Sequence, residues 1–176
     1  SRPVRRIAGV NEVFLLDTSA VLAYFGDEEG ADRVGNLLGM AGHRKIDLYA
    51  SFVSLIELRY ILMQEKDEAS ADYAVGLFKS WPLELAYPNE IQSLLAARFK
   101  ATHQVSLADA IIAAQAFHLH ACLVHKDPEF DSLAGEAGID RKHLVAALLQ
   151  EPRDIKRRPV RPVRGADKRD AAHRRQ

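Results

Sequence analysis

A single cysteine, Cys122, is all the thiol chemistry this 176-residue chain has. One thiol excludes an internal disulfide framework and a cysteine zinc site, and a reducing, cytoplasmic setting is the expectation. No apolar run approaches the roughly 20 residues that span a bilayer, so no membrane segment is expected. The start, Ser1-Arg2-Pro3-Val4-Arg5-Arg6, has no long apolar core and does not read as a secretory signal. The 7 histidines are scattered. They form no H-E-x-x-H and no zinc-spaced cluster, and His118 and His120 read as structural. There is no Walker loop and no G-x-G-x-x-G. The G-x-S-x-G elbow that would make Ser19 or Ser54 a hydrolase nucleophile is also missing. Net charge is absent too, with 24 Lys and Arg against 24 Asp and Glu. That zero hides an asymmetry. From Glu151 onward ten basic residues face four acidic ones, a balance of +6, so the rest of the chain carries −6. An acidic body does not fit a simple basic-patch nucleic-acid binder. It fits a body that gathers carboxylates around a metal.

What is present suits one domain with a real core. Glu12 to Leu16 is a short apolar run of strand character ending at Asp17. Asp17-Thr18-Ser19 stops it and caps a helix over Ala20 to Phe25. A loop follows at 26–30, then a helix from Ala31 to Met40. Ile46 to Ala50 is a second strand. An apolar helix opens at Ser51 or Ser54 and runs to about Gln64. A more polar helix covers Glu68 to Ser80, ended by Trp81-Pro82. Leu83 to Ala86 is a third strand, Ile91 to Thr102 and Ser106 to His120 are helices, and 121–125 is a fourth strand. Short connections between alternating strands and helices predict an α/β fold with a parallel sheet and right-handed crossovers. Beyond Gly138, residues 139–150 read as helical. The Pro- and Arg-rich stretch from Glu151 reads as a flexible tail, either merely solvated or a basic arm for phosphates. The expected domains are an N-terminal extension over 1–11, an α/β domain over 12–150 and the tail over 151–176.

Four carboxylates draw attention, and each also has a plain structural reading. Asp17 ends a strand, where open parallel sheets bind ligands, yet it also suits a helix N-cap. Glu57 lies in a very apolar helix and shares a face with Ser54, three residues earlier. Asp109 has capping-box spacing from Ser106 and is followed by an all-apolar segment. Asp127 follows the fourth strand and, with Pro128, suits an N-cap; Asp131 is its alternative. Together these positions can converge on one edge of a doubly wound sheet. Close carboxylates raise one another's pKa, and a hard divalent ion, Mg²⁺ or Mn²⁺, relieves that repulsion.

The segments Leu15-Leu16-Asp17-Thr18-Ser19-Ala20, Ser54-Leu55-Ile56-Glu57-Leu58, Ser106-Leu107-Ala108-Asp109-Ala110 and Val124-His125-Lys126-Asp127-Pro128-Glu129-Phe130 resemble the four acidic motifs of PIN-domain nucleases. The resemblance runs from Val13 to Leu133. Within that superfamily it is strongest to VapC-type toxins of toxin–antitoxin pairs. It implies a three-layer α/β/α sandwich around a parallel sheet of four or five strands. It also implies Mg²⁺- or Mn²⁺-dependent endoribonuclease activity leaving a 5′-phosphate and a 3′-hydroxyl, homodimerisation, and inhibition by a small antitoxin. Under that reading Asp17 and Asp109 bind the metal directly. Glu57 binds the metal or its water and orients or deprotonates that water, and Asp127 completes the cluster. One departure stands out: His125 occupies a place where many relatives have Thr or Ser. The rival readings are a non-catalytic binding or regulatory module of the same fold and a structure-specific DNA nuclease.

Overall fold

The computed structural model describes residues 11–133. The expected N-terminal extension (Asn11 apart), the helix over 139–150 and the basic tail lie outside the described residues. In chain order the elements are β1 (Glu12–Leu16), α1 (Thr18–Phe25), α2 (Ala31–Gly42), β2 (Ile46–Ser51), α3 (Phe52–Glu65) and α4 (Glu68–Lys79). They continue with β3 (Glu84–Ala86), α5 (Glu90–Thr102), α6 (Leu107–His118), β4 (Cys122–Val124) and a 3₁₀ turn at Pro128–Leu133. Their types match the sequence reading throughout, and the differences lie at the ends. The first helix starts two residues earlier than expected, because Asp17 itself is the N-cap. The strands at β3 and β4 are shorter than their apolar runs, since pairing covers only three residues in each.

The sheet has four strands among the described residues, in the order β3-β2-β1-β4, and every pair is parallel. Strand periodicity divides its side chains between two cores. Leu15 and Leu123 enter one core, with Ala110, Ile112, Ala113, Ala114 and Ala116 of α6 and with Ala96 and Phe99 of α5. Leu16 and Val124 enter the other, beside Val21 of α1, Val34 of α2, Leu58 of α3 and Phe78 of α4. Helices therefore cover both faces, which is the three-layer α/β/α sandwich that the resemblance implied. The alanines of α6 let that helix lie close on the sheet. Gln115, fully buried on α6, donates from Nε2 to the carbonyl of Ala86 at 2.8 Å and so ties α6 to the end of β3. Trp81 closes the second core. It stacks on Phe25 at 5.3 Å and meets Tyr24 and Phe78 edge-on at 5.1 and 5.2 Å.

Among the described residues no helix is long and apolar enough to cross a membrane. In a parallel strand–helix unit the chain leaves each strand at its carboxyl end, so the helix that follows starts there. The starts of α1 and α3 follow β1 and β2 with one or no intervening residue. Phe78 is fully buried at the heart of the α1–α4 core. Its replacement by alanine is expected to cost about 3–5 kcal/mol in urea unfolding. Tyr73→Ala, at a site 75% exposed on the same helix, is expected to stay within about 0.5 kcal/mol.

Candidate active site

At the carboxyl end of β1 the backbone N–H of Asp17 still donates to the carbonyl of Val124 at 2.9 Å, so β1 and β4 stay paired up to the acid. The Asp17 carboxylate then turns back onto the start of α1. Its Oδ2 accepts from the amide and the hydroxyl of Ser19, at 2.9 and 2.6 Å. The capping role and the expected site position are therefore held by the same side chain, which is 3% exposed. Ser19 Oγ also accepts from the backbone N–H of Lys126 at 2.9 Å. One hydroxyl thus links the end of β1 to the loop that follows β4.

Glu57 reaches the same edge from α3. Thr18 Oγ1 donates to Glu57 Oε2 at 2.5 Å and stands 3.0 Å from the buried Ser54 Oγ. Ser54 and Glu57, which share a helix face by their spacing, are thus both fastened to the residue after Asp17. Asp109 sits at the third position of α6 in a complete capping box. Its amide donates to Ser106 Oγ at 3.0 Å, and its Oδ2 accepts from the Ser106 amide at 3.3 Å.

These three acids lie within electrostatic reach of one another. Burial pushes the Asp17 carboxyl above its ordinary value; the hydrogen bonds from Ser19 oppose the rise and the charge of Asp109 adds to it. Burial also raises Glu57, opposed by the Thr18 hydroxyl and reinforced by the charges of Asp17 and Asp109.

Asp127 is placed differently. It follows β4, on the strand beside β1, and its Oδ1 accepts from the Glu129 amide at 2.8 Å, capping the 3₁₀ turn that opens with Pro128. Asp131 lies in that turn. His125, the departure from the family pattern, is buried. Its Nδ1 is 2.8 Å from the carbonyl of Asp127, which can only accept, so Nδ1 carries a proton. Its ring packs on Phe130 at 4.8 Å. His125 therefore fixes the loop that carries Asp127.

The contacts that sequence reasoning missed are made by Thr18, Ser19 and Lys126. Thr18 and Ser19 were legible only as cap neighbours, since their bonds to Glu57 and Lys126 span 39 and 107 residues of chain. Among the described residues no three Asp, Glu, His or Cys side chains form a ready-made metal cage. A metal therefore has to be judged on donor chemistry. Asp17, Glu57 and Asp109 offer only hard oxygen donors. Two of them are held toward protonation by burial and mutual charge, and a divalent cation reverses that tendency. By that criterion Mg²⁺ or Mn²⁺ fits.

The two raised carboxyls make stability depend on pH. A raised folded-state pKa contributes stability that is complete below the unfolded value, about 3.9 for Asp, and is lost as pH rises through the folded value. Asparagine caps helices as well as aspartate. In EDTA, Asp17→Asn is therefore expected to melt above the wild type at about pH 7, with the gap closing toward about pH 4. A variant that melts with the wild type at neutral pH, its cap kept and no repulsion relieved, would show Asp17 to be a cap alone.

The comparisons with known proteins agree with this fold. The PIN domain family matches residues 14–136, more than half of the chain. No curated protein matches in sequence. The fold is similar to that of VapBC from Salmonella typhimurium bound to DNA, with a TM-score of 0.57 and 20% identity over 72% of this chain and 95% of that one. It is similar to VapBC2 from Rickettsia felis bound to a DNA fragment from their promoter, with a TM-score of 0.56 and 19% identity over 68% and 91%. It is also similar to VapC20 of Mycobacterium tuberculosis, a Sarcin-Ricin loop cleaving toxin, with a TM-score of 0.54 and 18% identity over 73% and 98%. With its carboxylates at the carboxyl edge of a parallel α/β/α sandwich and the family matched from Phe14 through the last described residue, the chain belongs to the PIN domain family.

Proposed function

We propose that the protein is a metal-dependent endoribonuclease that serves as the toxin of a toxin–antitoxin pair. The observation that carries the reading is the buried Asp17 at the end of β1 with Glu57 fastened to its neighbour Thr18, and the charge of Asp109 acting on both. Such a group is costly unless it has a use. Burying an ion costs several kcal/mol even after relaxation, against about 1 kcal/mol for a cap.

Asp17 and Asp109 would hold Mg²⁺ or Mn²⁺, with Glu57 beside them and Asp127 completing the set from the next strand. Bound there, the ion supplies polarisation of the scissile phosphate and neutralises charge on the leaving 3′-oxygen. The residues of the chain do the rest. Thr18 holds the Glu57 carboxylate in one orientation. Glu57, a carboxylate made more basic than usual by its burial, is suited to take a proton from the attacking water. Ser19 keeps Asp17 aimed, and His125 fixes the loop of Asp127. Attack of water on phosphorus leaves a 5′-phosphate and a 3′-hydroxyl.

The toxin reading draws on the similarity to VapBC structures and to a toxin–antitoxin complex from Klebsiella pneumoniae, with a TM-score of 0.52 and 16% identity over 71% of this chain and 93% of that one. It brings a small antitoxin as partner. A homodimer is part of the reading too. Ile56, Tyr60 and Met63 are 54%, 44% and 39% exposed along one face of α3, an apolar stripe suited to a two-fold contact.

Total RNA incubated with the purified protein is expected to be cut with Mg²⁺ and left intact in EDTA. Asp17→Asn and Asp109→Asn each remove a charge at nearly constant shape. Each is expected to lower cleavage by at least about a hundredfold, the loss typical of one electrostatic contributor, with an unchanged circular-dichroism spectrum. Full activity in either variant would overturn the assignment. Activity on DNA in place of RNA would move it to the structure-specific DNA nuclease.

A further inference from the structure

The acidic edge has an electrostatic problem that its carboxylates cannot solve: they repel the phosphates they would act on. Lys126 brings a positive charge to that edge. It follows β4, and its backbone N–H is bonded to Ser19 Oγ, which is itself bonded to Asp17 Oδ2. Lys126 is thus anchored two hydrogen bonds from the Asp17 carboxylate. Its Nζ already holds an oxyanion, the Oε2 of Glu28, at 2.7 Å.

The way Glu28 is held marks it as a replaceable partner. Its backbone is fixed, with its N–H donating to the Ala23 carbonyl and its own carbonyl accepting from Ala31, both at 2.9 Å. Asp27, in the left-handed region at φ 52°, turns the chain into that position. Gly26 leaves room for the side chain. A Cβ there would come within 3.2 Å of Glu28 Cγ and Oε1. The Glu28 side chain, however, is 57% exposed and that of Lys126 33%, so the pair is screened by solvent and weakly held. A strand of RNA brings a row of phosphodiester charges, and neutralising one of them releases condensed counterions, a gain that a lone carboxylate does not offer.

We infer that Lys126 is the phosphate-binding cation of this edge and that Glu28 occupies its ammonium as a built-in competitor which RNA displaces. The inference rests on the ribonuclease reading and goes beyond it, because it assigns substrate binding to two residues outside the four acids. Lys126 acts on the backbone of the strand and so contributes affinity with little sequence preference.

The test compares full-length wild type, Lys126→Ala, Glu28→Gln and the double variant. The probe is a labelled, mixed-sequence, single-stranded RNA oligonucleotide. Binding is read in EDTA by fluorescence anisotropy across a salt series, and KM and kcat are read in Mg²⁺. Lys126→Ala is expected to weaken binding by about tenfold, the worth of a charged hydrogen bond, and to reduce the salt slope by about 0.7. Its KM is expected to rise more than its kcat falls. Glu28→Gln is expected to act in the opposite direction, tightening binding roughly two- to fivefold, the worth of one exposed ion pair. In the Lys126→Ala background the Glu28 change is expected to do nothing, since the competitor has lost its target. The tail is present in all four proteins, so its contribution to the slope cancels.

If the wild type binds and cuts RNA but Lys126→Ala matches it in affinity and slope, this inference alone falls. It falls equally if Glu28→Gln weakens binding, because Glu28 would then be a support for Lys126. A wild type that neither binds nor cuts RNA would overturn the ribonuclease reading and this inference with it.

Discussion

The geometry of this protein turns on how a parallel strand hands over to the helix after it. A helix start leaves several amides without partners, and in a parallel sheet such starts are brought to the carboxyl ends of the strands. Here side-chain oxygens meet that need at each turn of the chain around the edge. Asp17 serves α1 and Ser51 serves α3. Ser106 with Asp109 serves α6, and Asp127 serves the turn after β4. Three of the four acids are thus held in place by ordinary local structure. Their carboxylates are also favoured there by the partial positive charge of the helix start. The fourth, Glu57, has no cap to make, and Thr18 holds it instead.

Caps explain where the acids are but not why three of them share one neighbourhood. Serine or asparagine would cap these helices equally well without any repulsion. A buried Asp17 raised by burial and by the charge of Asp109, beside a Glu57 raised by burial and by both, runs against folding stability at neutral pH. For the buried Asp17 the cost of ion burial exceeds the gain from a cap, and the cation proposed above would offset it. The same balance gives Lys126 and Glu28 their place. On the ribonuclease reading proposed above, an acidic edge needs a positive charge at its rim, and the Glu28 carboxylate paired with Lys126 would temper how strongly that charge binds.

Much of this was legible in the sequence. The strand before Asp17 shows in its apolar run, and α6 shows in its near-continuous apolar segment behind a capping box. The four acids stand out because each interrupts or ends such a segment. The same local signals give the strand-helix alternation and hence the layers. What stayed hidden depends on contacts between distant segments. The Thr18 bonds to Glu57 and near Ser54, the Ser19 bridge to Lys126, and the Lys126 pairing with Glu28 join residues 36 to 107 positions apart. No periodicity records them. The role of His125 was hidden for a different reason. By the family pattern it looked like a lost hydroxyl, whereas its ring nitrogen holds the Asp127 carbonyl and its face packs on Phe130.

The central claim is that the Asp17 group exists to hold a divalent cation, and thermal unfolding against metal concentration tests it most directly. A ligand that binds only the folded state raises the melting temperature progressively with its concentration. Starting from EDTA at neutral pH, the wild type is predicted to climb as Mg²⁺ or Mn²⁺ is added. Asp17→Asn, already relieved of its repulsion, is predicted to stay level over the same range. Equal climbs in the two proteins, or a wild type that does not respond to either ion, would contradict the account.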